Sequence, residues 1–263
     1  VASNPAGVHT GFGEKITMTV QKSMLPAVVF TGSTLLVGCG SSGSCGGSGG
    51  SCTVPPPGTG GVFSGSVGGT AAVAILAENG DMRIGVQNGT YYHLNVAPQT
   101  TTIAGSYFAY STGAAFPNGT DSTTGTLSAT EGASTLDGTL TDHSGTTQAL
   151  TLNDNPVYTT GSALANLAGT WSYTAGGFSL TATIAADGSF TATDSSGCSY
   201  SGSFSQIDVL YDAYGENHVR TCNGVKTTFD GLATYFPASG NTGASIELLA
   251  DDGAGADLVV TFQ

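Results

Sequence analysis

Several groups of residues in this 263-residue chain have types and spacings that could do chemistry. The histidines His9, His93, His143 and His218 stand far apart, with no H-x-x-x-H or C-x-x-C partner. Zinc ligands come at short characteristic spacings, so no zinc site is expected. Asp251, Asp252 and Asp257 surround glycines and could offer hard oxygen ligands to calcium. The EF-hand pattern is missing, however, and no bidentate glutamate follows at its spacing. A hairpin loop explains that run more simply. Asp208, Asp212 and Glu216 lie among Tyr211 and Tyr214. Tyrosine supplies contact area at low entropy cost, so this stretch is a candidate binding loop. Gly46 to Gly50 spells G-x-S-x-G, which makes a nucleophile only on a strand-to-helix turn. Here it falls in a low-complexity run. No catalytic residue, cofactor or firm metal site emerges, and the chain reads as non-enzymatic.

Cys39 is the remaining reactive group. It ends an uncharged apolar run from Met24 to Val37, with Lys22 just upstream. The run falls short of the ~20 apolar residues a bilayer span needs. It fits the ~7–15 residues of a signal-peptide core. Leu36-Val37-Gly38-Cys39 resembles the lipobox of bacterial lipoproteins. The resemblance implies a signal peptide over 18–38, cleavage before Cys39, and acylation of the Cys39 sulfur. Gly40, in place of a retaining aspartate, implies sorting to the outer membrane. Residues 1–17 do not look like a leader. Gly13-Glu14-Lys15 would be encoded by a purine-rich string ahead of Met18, so 1–17 is expected to be an over-extended reading frame. With Cys39 lipidated, four of the five cysteines remain. An oxidising envelope would pair Cys198 with Cys222. Pairing of Cys45 with Cys52 has nothing rigid to bring it about.

Acidic residues number 18 and basic residues five. Lys15 and Lys22 precede Cys39, which leaves only Arg83, Arg220 and Lys226 after it. Such a body would be repelled by a phosphate backbone, so nucleic acid is not an expected partner. Attachment to a membrane would come from the lipid, where stable anchoring takes more than one acyl chain.

Residues 39–61 form a Gly/Ser/Pro tether, with Pro55 to Pro57 stiffening it. Beyond it, apolar residues alternate. Met82, Ile84 and Val86 share one face with Arg83 opposite; Tyr92, Leu94 and Val96 alternate with Tyr91, His93 and Asn95. Leu136, Gly138 and Leu140 follow, as do Phe178, Leu180, Ala182 and Ile184, then Cys198, Tyr200, Gly202 and Phe204. Further strands are expected over 218–222, 225–236, 246–250 and 258–262. Period two marks strands with one buried face. Asn79-Gly80, Asn88-Gly89, Asp187-Gly188 and Asp252-Gly253 punctuate them with residues that tolerate the positive φ of tight hairpins. A short helical turn at 162–169 separates two halves. A shift of 108 positions brings Gly61 onto Gly169, Phe63 onto Trp171, Gly68-Gly69 onto Gly176-Gly177 and Asn79-Gly80 onto Asp187-Gly188, which suggests an internal repeat.

The expected fold is therefore all-β: two tandem Gly-rich antiparallel barrel-like halves, 62–158 and 159–263, of about eight short strands each, the count for a small closed barrel. Gly169-Thr170-Trp171 after a short helix resembles the start of lipocalin-type barrels, and Gly61-Val62-Phe63 would be a degenerate copy. The layout of lipobox, tether and Gly-rich body also resembles surface lipoproteins of the transferrin-binding type. The reading is a lipid-anchored cell-envelope protein that binds or adheres through barrel loops. The alternative is a lipocalin-like carrier of one small apolar ligand. Cys39→Ser should abolish lipid labelling and release the protein to the soluble fraction; labelling that persists in the mutant contradicts the anchor.

Overall fold

The computed structural model describes residues 60–98, 102–111, 116 and 120–263. Cys39, Cys45, Cys52, the leader and most of the tether lie outside the described residues. Strands β1 (Gly61–Val67), β2 (Thr70–Leu76), β3 (Asp81–Val86), β4 (Thr90–Pro98), β5 (Thr102–Ser111), β6 (Ser122–Glu131), β7 (Thr135–Asp142) and β8 (Thr147–Asn155) close into one antiparallel barrel. Its interior takes the alternating apolar set, including Phe63, Leu76, Met82, Ile84, Tyr92, Leu94, Leu127, Leu136 and Leu152. A 3-10 turn (Pro156–Thr160) and the four-residue helix α1 (Leu164–Leu167) lead to the second half.

There β9 (Gly169–Ala175), β10 (Phe178–Ile184), β11 (Ser189–Asp194), β12 (Ser199–Gln206), β13 (Tyr214–Cys222), β14 (Val225–Phe236), β15 (Ser245–Asp251) and β16 (Asp257–Phe262) run as an eight-stranded meander. Its interior holds Trp171, Leu180, Ile184, Phe190, Tyr200, Phe204, Phe229, Leu248 and Phe262. Trp171 donates its indole N–H to the Leu167 carbonyl at 2.7 Å, so the helix end and the barrel end are stitched together. Cys198 and Cys222 form a disulfide across the β12–β13 hairpin. Among the described residues no helix is long and apolar enough to cross a membrane.

The repeat is visible in the backbone. β9, β10 and β11 begin and end 108 positions after β1, β2 and β3. The first hairpin of each half turns on two glycines, Gly68 (φ 56) and Gly69 (φ 81) in one, Gly176 (φ 58) and Gly177 (φ 87) in the other. Two successive positive φ angles define the mirror-image turn that matches strand twist, and glycine adopts them without a Cβ penalty.

The halves do not hang apart. A third apolar cluster joins Val62, Ile75, Tyr91 and Tyr110 of the first barrel to Ala213, Leu232 and Leu249 of the second, with Val157 and Tyr158 of the connector between. Tyr158 stacks on Tyr211 with ring centroids 5.1 Å apart. At Gly85 on β3 the second barrel packs close against the first. A Cβ built there would lie 3.0 Å from Val259 Cγ1 and 3.2 Å from Leu249 Cδ2. Gly85→Val should therefore overpack the interface and cost about 1–3 kcal/mol. A chemical-denaturation curve checks this; an unchanged midpoint contradicts the packing described.

Candidate functional site

The outward face of the second barrel carries a row of carboxylates. Asp230 on β14 pairs in register with Asp251 on β15, and Asp251 pairs with Asp257 on β16. Like charges directly opposite each other destabilise a sheet. The cation that answers them comes from the other barrel. Arg83 points outward from β3, on the face opposite Met82 and Ile84. The docked second barrel covers it, so it is only 1% exposed. Its Nη2 donates to Asp230 Oδ2 at 2.6 Å, its Nη1 to Asp251 Oδ2 and to the Asp230 carbonyl, and its Nε to Asp81 Oδ1 at 2.7 Å. His93 Nδ1 lies 3.2 Å from Asp251 Oδ2. Burial alone would lower the Arg83 pKa, but neighbouring Tyr91, Asp81 and Asp251 raise it above its ordinary value. Burial pushes the Asp251 carboxyl up; the His93 hydrogen bond and the Arg83 charge outweigh that and hold it below the usual carboxylate range. Asp257 gets no such help, and burial with Asp251 close by pushes it up to about 7.

A second polar group is sealed inside the second barrel. Tyr214, Glu216 and His218 alternate inward along β13 and are all buried. His218 Nδ1 lies 2.7 Å from Glu216 Oε1, and the ring stacks on Phe229 with centroids 4.8 Å apart. Glu216 Oε2 and His218 Nε2 are buried without a hydrogen-bond partner. Burial raises the Glu216 carboxyl, against the hydrogen bond and charge of His218. His218 also lines an interior cavity with Leu180, Phe190, Tyr200, Leu248 and Phe262, of about 10 Å³. That is room for roughly one water.

These placements bear on two candidate groups named from the sequence. The calcium candidates Asp251, Asp252 and Asp257 do not converge. Asp251 faces Arg83, while Asp252 Oδ1 accepts the backbone N–H groups of Ala254 and Ala256 to shape its own loop. Among the described residues no three His, Cys, Asp or Glu side chains are grouped to hold a metal. The candidate binding loop is also divided. Strand β13 begins at Tyr214, so Tyr214 and Glu216 lie in the barrel interior and not in a loop. Asp212 is buried, with its Oδ2 near the Thr234 hydroxyl and the Tyr235 N–H, and burial pushes it up to about 7. Tyr211 packs on Tyr158. Of the five residues, only Asp208 stays in the loop tip, where it accepts the Leu210 N–H beside exposed Val209 and Leu210. His143 sits in an exposed turn, its Nδ1 3.3 Å from the Thr123 hydroxyl.

Sequence reading missed Arg83 as a site residue. Its partners Asp230 and Asp251 lie 147 and 168 positions away. The available signal was compositional: one of only three basic residues after Cys39 stands in the middle of a strand, with an aspartate two positions before it on the same face.

With the fold and these groups in place, the class the molecule defines is an all-β protein of two antiparallel barrel-like halves, the first fully closed, each filled by its own side chains. No family model matches the chain, and no curated protein matches it. Among solved structures, the crystal structure of a candidate outer membrane protein from Bacteroides fragilis aligns over 78% of this chain and 96% of its own. The identity is 13% and the TM-score 0.27, a likeness too low to carry a functional argument.

Removing the Arg83 charge leaves Asp251 buried with His93 alone beside it, and breaking a buried ion pair typically costs about 3–5 kcal/mol. Arg83→Met should lose that much at neutral pH. The Asp251 pKa is depressed in the folded protein, so its contribution is complete above its unfolded value of about 3.9 and drains away as pH falls below it. The gap between wild type and Arg83→Met should therefore narrow in acid, which denaturation curves at pH 7 and pH 3 would check.

Proposed function

We propose that this chain is a lipid-anchored protein of the bacterial outer membrane. Its double-barrel body acts as a non-enzymatic binding or adhesion module through its outer surface. The observation that carries this reading is where the molecule has room. Both barrel interiors are filled by their own side chains, and the cavity in the second admits about one water. A small apolar ligand would have to displace packed aromatic rings there, so a carrier role finds less support than contact from outside. The outer surface offers aliphatic contact at the β12–β13 loop, where Val209 is 64% and Leu210 50% exposed. The loop is braced from behind: Ser162 Oγ donates to the Asp208 carbonyl at 2.8 Å, and Tyr158 stacks on Tyr211. A rigid loop with an apolar tip suits protein recognition, since little ordering entropy is lost on contact. The sparse positive charge argues against nucleic acid as the partner.

Protease shaving of intact cells tests the adhesion reading. Loss of the body with the outer membrane intact is the expected outcome; full protection would place the barrels in the periplasm and overturn it. Replacing Val209 and Leu210 together by serine should weaken attachment of cells to their partner surface and leave the melting temperature unchanged.

A further inference from the structure

The two barrels close differently. In the first, β1 and β8 zip together over six registered pairs, from Val62 with Asn155 to Val67 with Leu150. In the second, β9 occupies the place of β1, but it meets the last strand through one residue pair. Ser172 and Gln263 exchange both N–H···O bonds at 2.9 Å. No further registered pairing joins β9 to β16 among the described residues.

The alternation of an antiparallel ladder says which groups this leaves over. Residues that exchange bonds across one edge recur every second position. Gln263 faces the seam, so the N–H and C=O groups of Thr261, Val259 and Asp257 face it too. Leu258, Val260 and Phe262 turn theirs to β15. On the other side of the seam Thr174 follows Ser172 in the same phase. An unpaired strand edge of this kind is a template for another strand.

Side chains on the two faces of the seam specify what would fit. On the inner side, Tyr173 and Phe178 are half-buried against the core, their rings 6.3 Å apart, and suit apolar side chains. On the outer side stand the half-buried carboxyls of Asp257 on β16 and of Glu247, which pairs in register with Thr261. Among the described residues neither has an ion-pair partner or a side-chain hydrogen bond to another residue, and burial pushes each up to about 7. Arg83 neutralises the same carboxylate row only as far as Asp251.

We propose that the open seam of the second barrel is a strand-addition site, taking an extended segment of a partner protein that carries basic residues on one face and apolar residues on the other. The backbone edge of β16 supplies the hydrogen bonds, and the alternating pockets supply the selectivity. The site lies apart from the Val209–Leu210 loop and does not depend on that loop binding anything.

The test uses the full-length protein in detergent micelles and two synthetic peptides, Thr-Lys-Val-Lys-Val-Lys-Val-Thr and its counterpart with Glu for Lys. Binding is read by fluorescence anisotropy and by amide hydrogen exchange. The Lys peptide should bind at least about tenfold tighter than the Glu peptide and slow exchange at Asp257, Val259 and Thr261. Thr261→Pro removes one seam-facing N–H and no bond to β15, a position where a strand tolerates proline. It should abolish the protection without lowering the melting temperature. Asp257→Asn should reduce the preference for Lys over Glu while the protein stays folded. Equal binding of the two peptides, or binding with no slowing at those three amides, would overturn the proposal. So would a concentration-dependent dimer that Thr261→Pro abolishes, because the seam would then belong to a second copy of this chain.

Discussion

One buried arginine decides how this molecule holds together. The second barrel presents Asp230 and Asp251 side by side on adjacent strands, a pairing that opposes its own folding. Arg83 of the first barrel enters between them, and Asp81 orients the guanidinium from its own strand. Each barrel thus supplies what the other lacks: the second an excess of negative charge, the first a cation. A buried ion pair is a weak source of net stability, because desolvation offsets most of the attraction. It is a strong source of specificity, because any other docking angle would strand a buried charge. The apolar contacts around it, with Gly85 against Val259 and Leu249, supply the attraction that the charges only direct.

The architecture was legible because its rules are local. A filled barrel with a solvated outer face imposes strict alternation, and β3, β10 and β14 lie where that alternation places them. Two-residue glycine turns announced the matching hairpins of the two halves. The Cys198–Cys222 link also stands as expected, at directly facing positions of one hairpin.

What stayed hidden is non-local or breaks the alternation. Arg83 looked like an ordinary solvent-facing position, since nothing in its neighbourhood says that a second domain covers that face. Asp251 stood in a run that a hairpin loop explained more simply than calcium, and the cation it meets is a side chain 168 positions away. Tyr214 and Glu216 were assigned to a loop because a charged residue facing inward disguises a strand. Their burial beside His218 makes the second barrel the more polar of the two inside. It is also the one with the less complete closure.

The claim that ties these features together is that the two barrels form a single cooperative unit. Differential scanning calorimetry of the full-length protein at neutral pH tests it directly. The account predicts one transition whose calorimetric and van't Hoff enthalpies agree. Two resolved transitions, each with the enthalpy of one barrel, would show that the halves fold independently and that the Arg83 contact does not couple them.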